Sequence, residues 1–256
     1  MNDYFDLSGK TALVVGASSG IGERFAQVLS SQGASVILAS RNVKKLDNLA
    51  KALPKSQVYS MDVSSSESVQ TVFSEMNKNK QVIDICVITS GIAKLTPVFT
   101  NNDDDFADIF NTNVLGTWYV AKACAQHMRK YKTAGSIITV SSVNGANKIR
   151  EEITGYAASK AGVIQMTKAM VGELSPYNIR INCIAPGLVH TELTNYKLNT
   201  KEMQDEMIKK IPLGFVAKPN ELDGALLYLA SNGASRYVTG TCITVDGGAS
   251  WGGAGK

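Results

Sequence analysis

Short apolar runs recur along this chain, and each is followed by a stretch with helical patterning. The runs are Thr11–Gly16, Ser35–Ser40, Gln57–Met61, Asp84–Thr89, Gly135–Ser141, Ile179–Ile184 and Thr241–Val245. Helices are expected near residues 20–32, 43–52, 65–79, 103–130, 156–175, 201–209 and 219–231. The strand candidates are apolar throughout rather than alternating, which is how a strand reads when both of its faces are covered. Their regular alternation with helices predicts a doubly wound α/β fold, with a seven-stranded parallel sheet and helices on both faces. With no repeat or low-complexity linker in 256 residues, a single domain spanning 1–256 is expected. A long polar stretch, Leu188–Ile211, follows Pro186-Gly187 and is expected to form a lid over a pocket, at about 188–211.

Composition narrows the class. The 26 basic and 22 acidic residues leave a net charge of +4. The basic residues are scattered, with clusters only at Lys44-Lys45, Arg129-Lys130-Tyr131-Lys132 and Lys209-Lys210. A nucleic-acid partner requires a denser footprint, so none is expected. Cys86, Cys124, Cys183 and Cys242 form no Cys-x-x-Cys pair, and neither His127 nor His190 lies at zinc-like spacing. No metal is therefore expected, the histidines read as surface or structural groups, and a reducing cytoplasm is the expected location. The Met1–Asp6 start lacks the basic flank and apolar stretch of a signal peptide. No apolar run approaches the ~18 residues of a membrane span. The tail Trp251–Lys256 is expected to be flexible unless a partner subunit holds it.

The first strand candidate runs into Gly16-Ala-Ser-Ser-Gly20-Ile-Gly22. Glycines between a first strand and its helix let the backbone approach a pyrophosphate, and the helix N-terminus offers unpaired N–H groups. The spacing is one residue longer than Gly-x-Gly-x-x-Gly, but its place after the first strand suits a Rossmann-type nucleotide site. The second strand ends in Ala39-Ser40-Arg41, with no carboxylate to accept from a ribose 2′-hydroxyl. Ser40 and Arg41 suit a 2′-phosphate, which favours NADP(H) over NAD(H). Lys44 and Lys45 are expected to face solvent. Asp62, after the third strand, reads either as a partner for an adenine amino group or as the N-cap of the helix beginning near Ser64.

Further along, Tyr156-Ala-Ala-Ser-Lys160 places a phenol and an ammonium on one helix face. A free phenol has a pKa of about 10. A nearby positive charge lowers that value and readies the group for proton transfer to or from an oxygen.

These pieces occur with Asp62-Val63, with Asn113 in Asn113-Val-Leu-Gly116, with Ser142 after the fifth strand, with Pro186-Gly187 and Thr191, and with Asp246-Gly-Gly248. In that order and spacing, from Gly9 to about Ser250, the chain resembles the short-chain dehydrogenase/reductase family in its single-domain form. The resemblance implies an NADP(H)-dependent oxidoreductase that moves hydride between the nicotinamide and a small carbonyl or secondary alcohol. Tyr156 is then the proton donor or acceptor. Lys160 lowers the tyrosine pKa and bonds the nicotinamide ribose, and Ser142 holds the substrate oxygen. Asn113 fixes a water in a proton relay, or simply makes a hydrogen-bonding kink in its helix. The implied cofactor contacts are Gly16, Ser18, Ser19, Gly20, Ile21, Gly22, Ser40, Arg41, Asp62, Val63, Ser90, Gly91, Tyr156, Lys160, Pro186, Gly187, Val189 and Thr191. The family also implies a homotetramer, with a homodimer as the alternative.

A narrower alternative is 3-oxoacyl-[acyl-carrier-protein] reductase, with Arg129, Lys130 and Lys132 facing the carrier. Against it, Tyr177 stands where many such reductases have a basic residue. A non-catalytic cofactor-binding sensor is a further reading. The chain departs from the family at Val15, usually threonine, and at Ile88-Thr89-Ser90-Gly91, usually Asn-Asn-Ala-Gly. Those two places are normally hydrogen-bonded neighbours, so a sound fold with altered local packing is expected. The segment Val143–Gly155, with its charged run 148–152, is about one residue longer than usual and bears on substrate choice.

Overall fold

The computed structural model describes residues 4–100, 103–148 and 150–252. Residue 149 of the charged run and residues 253–256 of the tail lie outside the described residues. The strands are β1 (Thr11–Val15), β2 (Ser35–Ser40), β3 (Ser56–Ser60), β4 (Ile85–Ile88), β5 (Ser136–Val140), β6 (Arg180–Pro186) and β7 (Cys242–Val245). They form one seven-stranded sheet in the order β3-β2-β1-β4-β5-β6-β7, with every pair parallel. The chain winds outward from β1 to β3, crosses back to β4 beside β1, and then winds outward the other way. This reversal opens a crevice at the carboxyl ends of β1 and β4.

The uniform apolarity of the strands follows from burial on both faces. On one face Ala12, Val14, Val36, Leu38, Ile85, Val87, Ile138 and Ile184 pack against Phe25 and Leu29 of the helix Gly20–Ser31 and Leu226 and Leu229 of the helix Asp223–Ala230. On the other, Leu13, Val15, Ile37, Cys86, Ile88, Ile137 and Ile181 meet Phe73, Met76, Val120, Cys124 and Met128. These last come from the helices Ser66–Lys78 and Gly116–Tyr131. Each large side chain so buried contributes about 2 kcal/mol.

Several elements depart from the expected bounds. The helix expected over 103–130 is interrupted: a π-helical turn, Asn111–Leu115, separates Asp103–Phe110 from Gly116–Tyr131. The inserted residue lets the Asn113 side chain bond sideways, and Gly116 lies so close to Val63 that a Cβ there would stand 2.9 Å from Val63 Cγ2. The helix expected over 156–175 is Thr154–Ala169 followed by separate turns at Val171–Leu174 and Ser175–Tyr177. A short turn at Val143–Ala146, absent from the expected elements, holds Ser142 as its N-cap. His127 is structural: it is buried between the rings of Phe73 and Tyr131, and burial lowers its pKa.

Two arginines fasten the face that carries the first core. Arg24 forks onto Asp223, with Nη2 to Oδ2 at 2.5 Å, and so ties the first helix to Asp223–Ala230. Arg180, at the start of β6, is buried without a carboxylate. Its guanidinium donates to Leu229 O at 2.9 Å, Val238 O at 3.3 Å and Asn232 Oδ1 at 3.0–3.1 Å. It thereby joins β6, the last long helix and the approach to β7. Arg180→Ala would strand those acceptors, and we expect it to cost about 3 kcal/mol of unfolding free energy. Urea denaturation of the variant checks this; a loss under 1 kcal/mol would contradict it.

Candidate active site

The glycine turn closes tightly over the crevice. Gly16 has φ +90°, and a Cβ on it would stand 2.6 Å from Thr89 Oγ1; a Cβ on Gly22 would stand 2.2 Å from Gly16 O. Only glycine fits either place. Ser19, the N-cap of the helix Gly20–Ser31, is extended and makes no side-chain cap bond. The first N–H groups of that helix are therefore left uncapped by a side chain at the crevice, where an anion is favoured.

Around this turn lies a cleft of about 300 Å³. Of the expected residues, Gly16, Ser18 to Gly22, Ser40, Arg41, Asp62, Val63, Ser90, Gly91 and Thr191 line it. Tyr156, Lys160, Pro186, Gly187 and Val189 do not line it. A Cβ on Gly187 would stand 2.7 Å from Asp246 Cβ, and Val189 is buried beside Ala217. Asn42, Met61, Thr89, Ile92, Thr112, Glu192 and Leu193 also line the cleft and were not singled out. Adjacency to expected residues was the only signal for most of them.

At the far end of the cleft Arg41 is exposed, and Ser40 Oγ accepts from Asn42 N at 3.2 Å. Asp62 is not the helix cap. Ser65 takes that place and accepts from Ser68 N at 3.1 Å. The Asp62 carboxylate instead accepts from Ser64 Oγ at 2.7 Å and Ser64 N at 3.0 Å. The Ser64 hydroxyl, aided by its N–H and the Arg41 charge and opposed by burial, holds Asp62 below its ordinary pKa. Lys45 is exposed, as expected, and pairs on the surface with Glu192, a cleft-lining residue, at 2.8 Å. The altered contact between β1 and β4 is replaced rather than lost, since Thr89 Oγ1 donates to Val15 O at 2.8 Å.

The second half of the site stands on the helix Thr154–Ala169. Its start is anchored by Thr96, whose Oγ1 accepts from Gly155 N at 2.8 Å and whose N donates to Glu152 O at 2.7 Å. One turn apart on this helix, Tyr156 is half-buried and Lys160 is buried. Ser142 acts on the Tyr156 phenol, lowering its pKa against the rise that burial causes, and its Oγ accepts from Asn144 N at 3.2 Å, whereas Ser141 Oγ donates to Lys160 O at 2.7 Å. Of the two serines ending β5, Ser142 therefore belongs with the tyrosine and Ser141 with the scaffold. The Ser142 turn lies directly on the helix: a Cβ on Gly145 would stand 2.4 Å from Ala161 N.

The Asn113 side chain, in the π turn, is fully bonded within the chain. Its Oδ1 accepts from Ile92 N at 2.8 Å, and its Nδ2 donates to Ile92 O and to Ser159 Oγ, both at 3.0 Å. It thus pins the Gly91-Ile92 segment against the helix. A Cβ on Gly91 would stand 3.2 Å from both Asn113 Oδ1 and Lys160 Nζ, so the lysine reaches the cleft wall there.

The electrostatics correct one expectation. The Tyr156 pKa stands above its ordinary value, not below it. Burial raises it; Ser142 opposes that rise and Tyr196 adds to it. Tyr156 is thus held as a neutral O–H donor. Lys160 Nζ donates to Val140 O at 3.0 Å and stands 5.8 Å from the Tyr156 ring centroid. Burial pushes Lys160 itself down to about 8, against a small upward pull from Cys183. No cluster of side chains suited to a metal occurs among the described residues.

Between the folded value of about 8 and the ordinary value of 10.5, the unfolded chain binds more protons at Lys160 than the folded one. The stabilising contribution is therefore present above pH 10.5 and lost as pH falls through 8. On raising the pH across that window, we expect a gain of about 3 kcal/mol from this group. The gain should be absent from Lys160→Met. Urea denaturation of both proteins at a series of pH values measures it, and parallel pH profiles would refute it.

Comparison with known proteins places the whole chain. A family model described as enoyl-(acyl carrier protein) reductase matches residues 16–250. The chain is 37% identical over 246 residues to a 3-oxoacyl-[acyl-carrier-protein] reductase of Thermotoga maritima, covering 94% of this chain and 98% of that one. A short-chain type dehydrogenase/reductase from Mycobacterium marinum superposes with a TM-score of 0.89 at 38% identity, covering 96% of this chain and 98% of that one. A gluconate 5-dehydrogenase from Burkholderia cenocepacia, solved in complex with NADP and tartrate, superposes with a TM-score of 0.91 at 33% identity, covering 96% of this chain and 97% of that one.

Proposed function

We propose that in this chain, which belongs to the short-chain dehydrogenase/reductase family, Tyr156 passes the proton that accompanies hydride transfer. The reaction class is oxidation or reduction between CH–OH and C=O with NADP(H). The observation that carries the residue assignment is the joining of two half-sites at Gly91. On one side lie a glycine turn and an uncapped helix N-terminus; on the other, the turn capped by Ser142, packed directly against the helix that carries Tyr156 and Lys160.

The cleft fits the cofactor. Gly16 and Gly22 leave space that no side chain can enter, and the open N–H groups behind Ser19 suit a pyrophosphate. Exposed Arg41 at the end of β2 suits a 2′-phosphate. When bound, NADP(H) supplies or accepts the hydride. Tyr156 stays neutral because burial disfavours the phenolate. In reduction, its O–H bond breaks as the proton bonds to the substrate oxygen; in oxidation, the proton returns to it. Ser142 orients that oxygen from the adjoining turn, which is positioning rather than proton transfer. Lys160, at the cleft wall by Gly91, donates to a nucleotide hydroxyl. Asn113 positions the segment that carries Gly91.

The segment 188–211 serves as the lid, a reading supported by Thr191, Glu192 and Leu193 in the cleft lining and by the Glu192–Lys45 pair. Exposed Leu115, Trp118, Tyr237 and Trp251 support a homo-oligomer, a tetramer by family habit. The four free cysteines support a reducing cytoplasm, and no helix among the described residues is long and apolar enough to cross a membrane. The likeness to the Thermotoga reductase favours an acyl-carrier substrate as a second reading. Against it, Arg129 stacks on Tyr177 at 4.6 Å and Lys130 donates to Asn77 Oδ1 at 2.9 Å, so both are engaged within the chain.

Tyr156→Phe is expected to lower kcat about 10³-fold or more while NADPH affinity, read by fluorescence titration, changes less than threefold. Turnover at the wild-type rate would remove the tyrosine from the chemistry. Arg41→Asp should lower the NADPH-to-NADH ratio of kcat/KM at least tenfold, about 1.4 kcal/mol. An unchanged ratio would show that Arg41 does not read the 2′-phosphate.

A further inference from the structure

We propose that Lys148 is a positioning residue: it ties the base of the 188–211 lid to the half of the site that handles the proton, and so sets how the lid encloses the substrate. This rests on the oxidoreductase and lid readings above.

Both stems of the lid meet at one turn. The first leaves β6 at Gly187, which lies against Asp246 and whose N donates to Val245 O at 2.9 Å. The second returns through Ile211, Pro212 and Leu213. Leu213 N donates to Gly247 O at 3.0 Å. A Cβ on Gly247 would stand 2.8 Å from Ile211 Cγ2, and one on Gly248 would stand 3.0 Å from Pro212 Cγ. The stems also touch each other: Val189 forms a parallel bridge with Ala217, and His190 N donates to Ala217 O at 2.8 Å. Residues 246–248, directly after β7, are therefore the seat on which both ends of the lid rest.

The seat is internally braced. Asp246 folds its carboxylate back over its own turn: Oδ1 accepts from Gly248 N at 2.9 Å and Oδ2 from Ser250 N at 2.7 Å. Its carbonyl accepts from Ala249 N at 3.1 Å. The turn so bonded moves as a unit, and a hold on one of its carbonyls is a hold on both stems.

Lys148 makes that hold. Its Nζ donates to Ala249 O at 3.1 Å, 101 residues on. Its main chain belongs to the turn capped by Ser142: Lys148 N donates to Val143 O at 2.9 Å, and Gly145 N to Ser142 O at 3.0 Å. That turn is fixed, because Gly145 lies on the backbone of Lys160 and Ala161. The Lys148 bond thus runs from the fixed half of the site to the base of the lid. Among the described residues no other hydrogen bond joins 143–148 to 246–251. The side chain is half-buried, and a hydrogen bond from an ammonium is stronger than one between neutral groups. The tie bears on enclosure of the substrate and not on proton transfer, since Ser142 and Tyr156 are held together without it.

The test uses the full chain and two variants. Lys148→Met keeps the aliphatic stem and removes the donor; Lys148→Arg keeps a donor. In hydrogen exchange with NADP⁺ bound, we expect Lys148→Met to speed amide exchange about fivefold or more in residues 187–190, 211–217 and 246–251. Lys148→Arg should restore wild-type exchange to within about twofold. The turnover probes are cyclohexanone, ethyl acetoacetate and an acetoacetyl thioester with NADPH. For each probe that the wild type reduces, Lys148→Met should raise KM about fivefold or more and leave kcat within about threefold, and Lys148→Arg should recover KM. Faster exchange confined to 246–251 would overturn the proposal. A raised KM with unchanged exchange would also overturn it, by making Lys148 a direct contact of the substrate. Faster exchange with an unchanged KM would overturn it by making the tie structural only. In each of these cases turnover persists and the oxidoreductase reading stands. Absence of wild-type turnover with every probe would overturn both.

Discussion

One carbonyl at the centre of the sheet carries an unusual share of the architecture. Val15 O accepts the Thr89 N–H at 2.9 Å and the Thr89 hydroxyl at 2.8 Å. These bonds join β1 to the end of β4 where the winding reverses, so they fix how far apart the two halves of the crevice stand. The Thr89 hydroxyl is also what a Cβ on Gly16 or Gly22 would strike. The same contact therefore sets the sheet register, dictates glycine at both positions and leaves the helix N-terminus facing open space. A threonine that spends its hydroxyl on a neighbouring main-chain oxygen does the joining that two side chains would otherwise share, which is why Val15 can be apolar at no structural cost.

Elements whose signal is local were legible in the sequence. β1 and β2 read directly because both of their faces are buried, and Tyr156 and Lys160 were paired because helical spacing alone puts them on one side. What escaped depends on contacts between distant segments. The π turn at Asn111–Leu115 exists because Asn113 bonds Ile92, a partner 21 residues away. The rise in the Tyr156 pKa escaped because helical spacing says nothing of how deeply the fold buries the phenol. Lys45 is solvated as its sequence reads, but its surface partner Glu192 lies 147 residues on and was not legible. Asp62 and Ser65 are both good caps by type, and only the local backbone path decides between them.

Cations show how the molecule divides stability from chemistry. Arg180 is buried, and its guanidinium reaches neutral acceptors on three segments, so it acts as a fastener. Lys160 is buried, donates to Val140 O and has a lowered pKa, an arrangement that costs stability at neutral pH. Such costs concentrate where a fold serves a reaction rather than itself.

The contact of Gly145 with the backbone of Lys160 and Ala161 has a consequence for descent. Ser142 and Tyr156 are held together by two backbones in direct contact, with no side chain between them to change size. Residues 150–152, just before the helix begins, are exposed. Substitutions there can alter what is bound without moving the pair that handles the proton. Reaction and preference are therefore inherited separately: a lineage can exchange one substrate for another by drift in a loop while the proton-transfer geometry passes on intact.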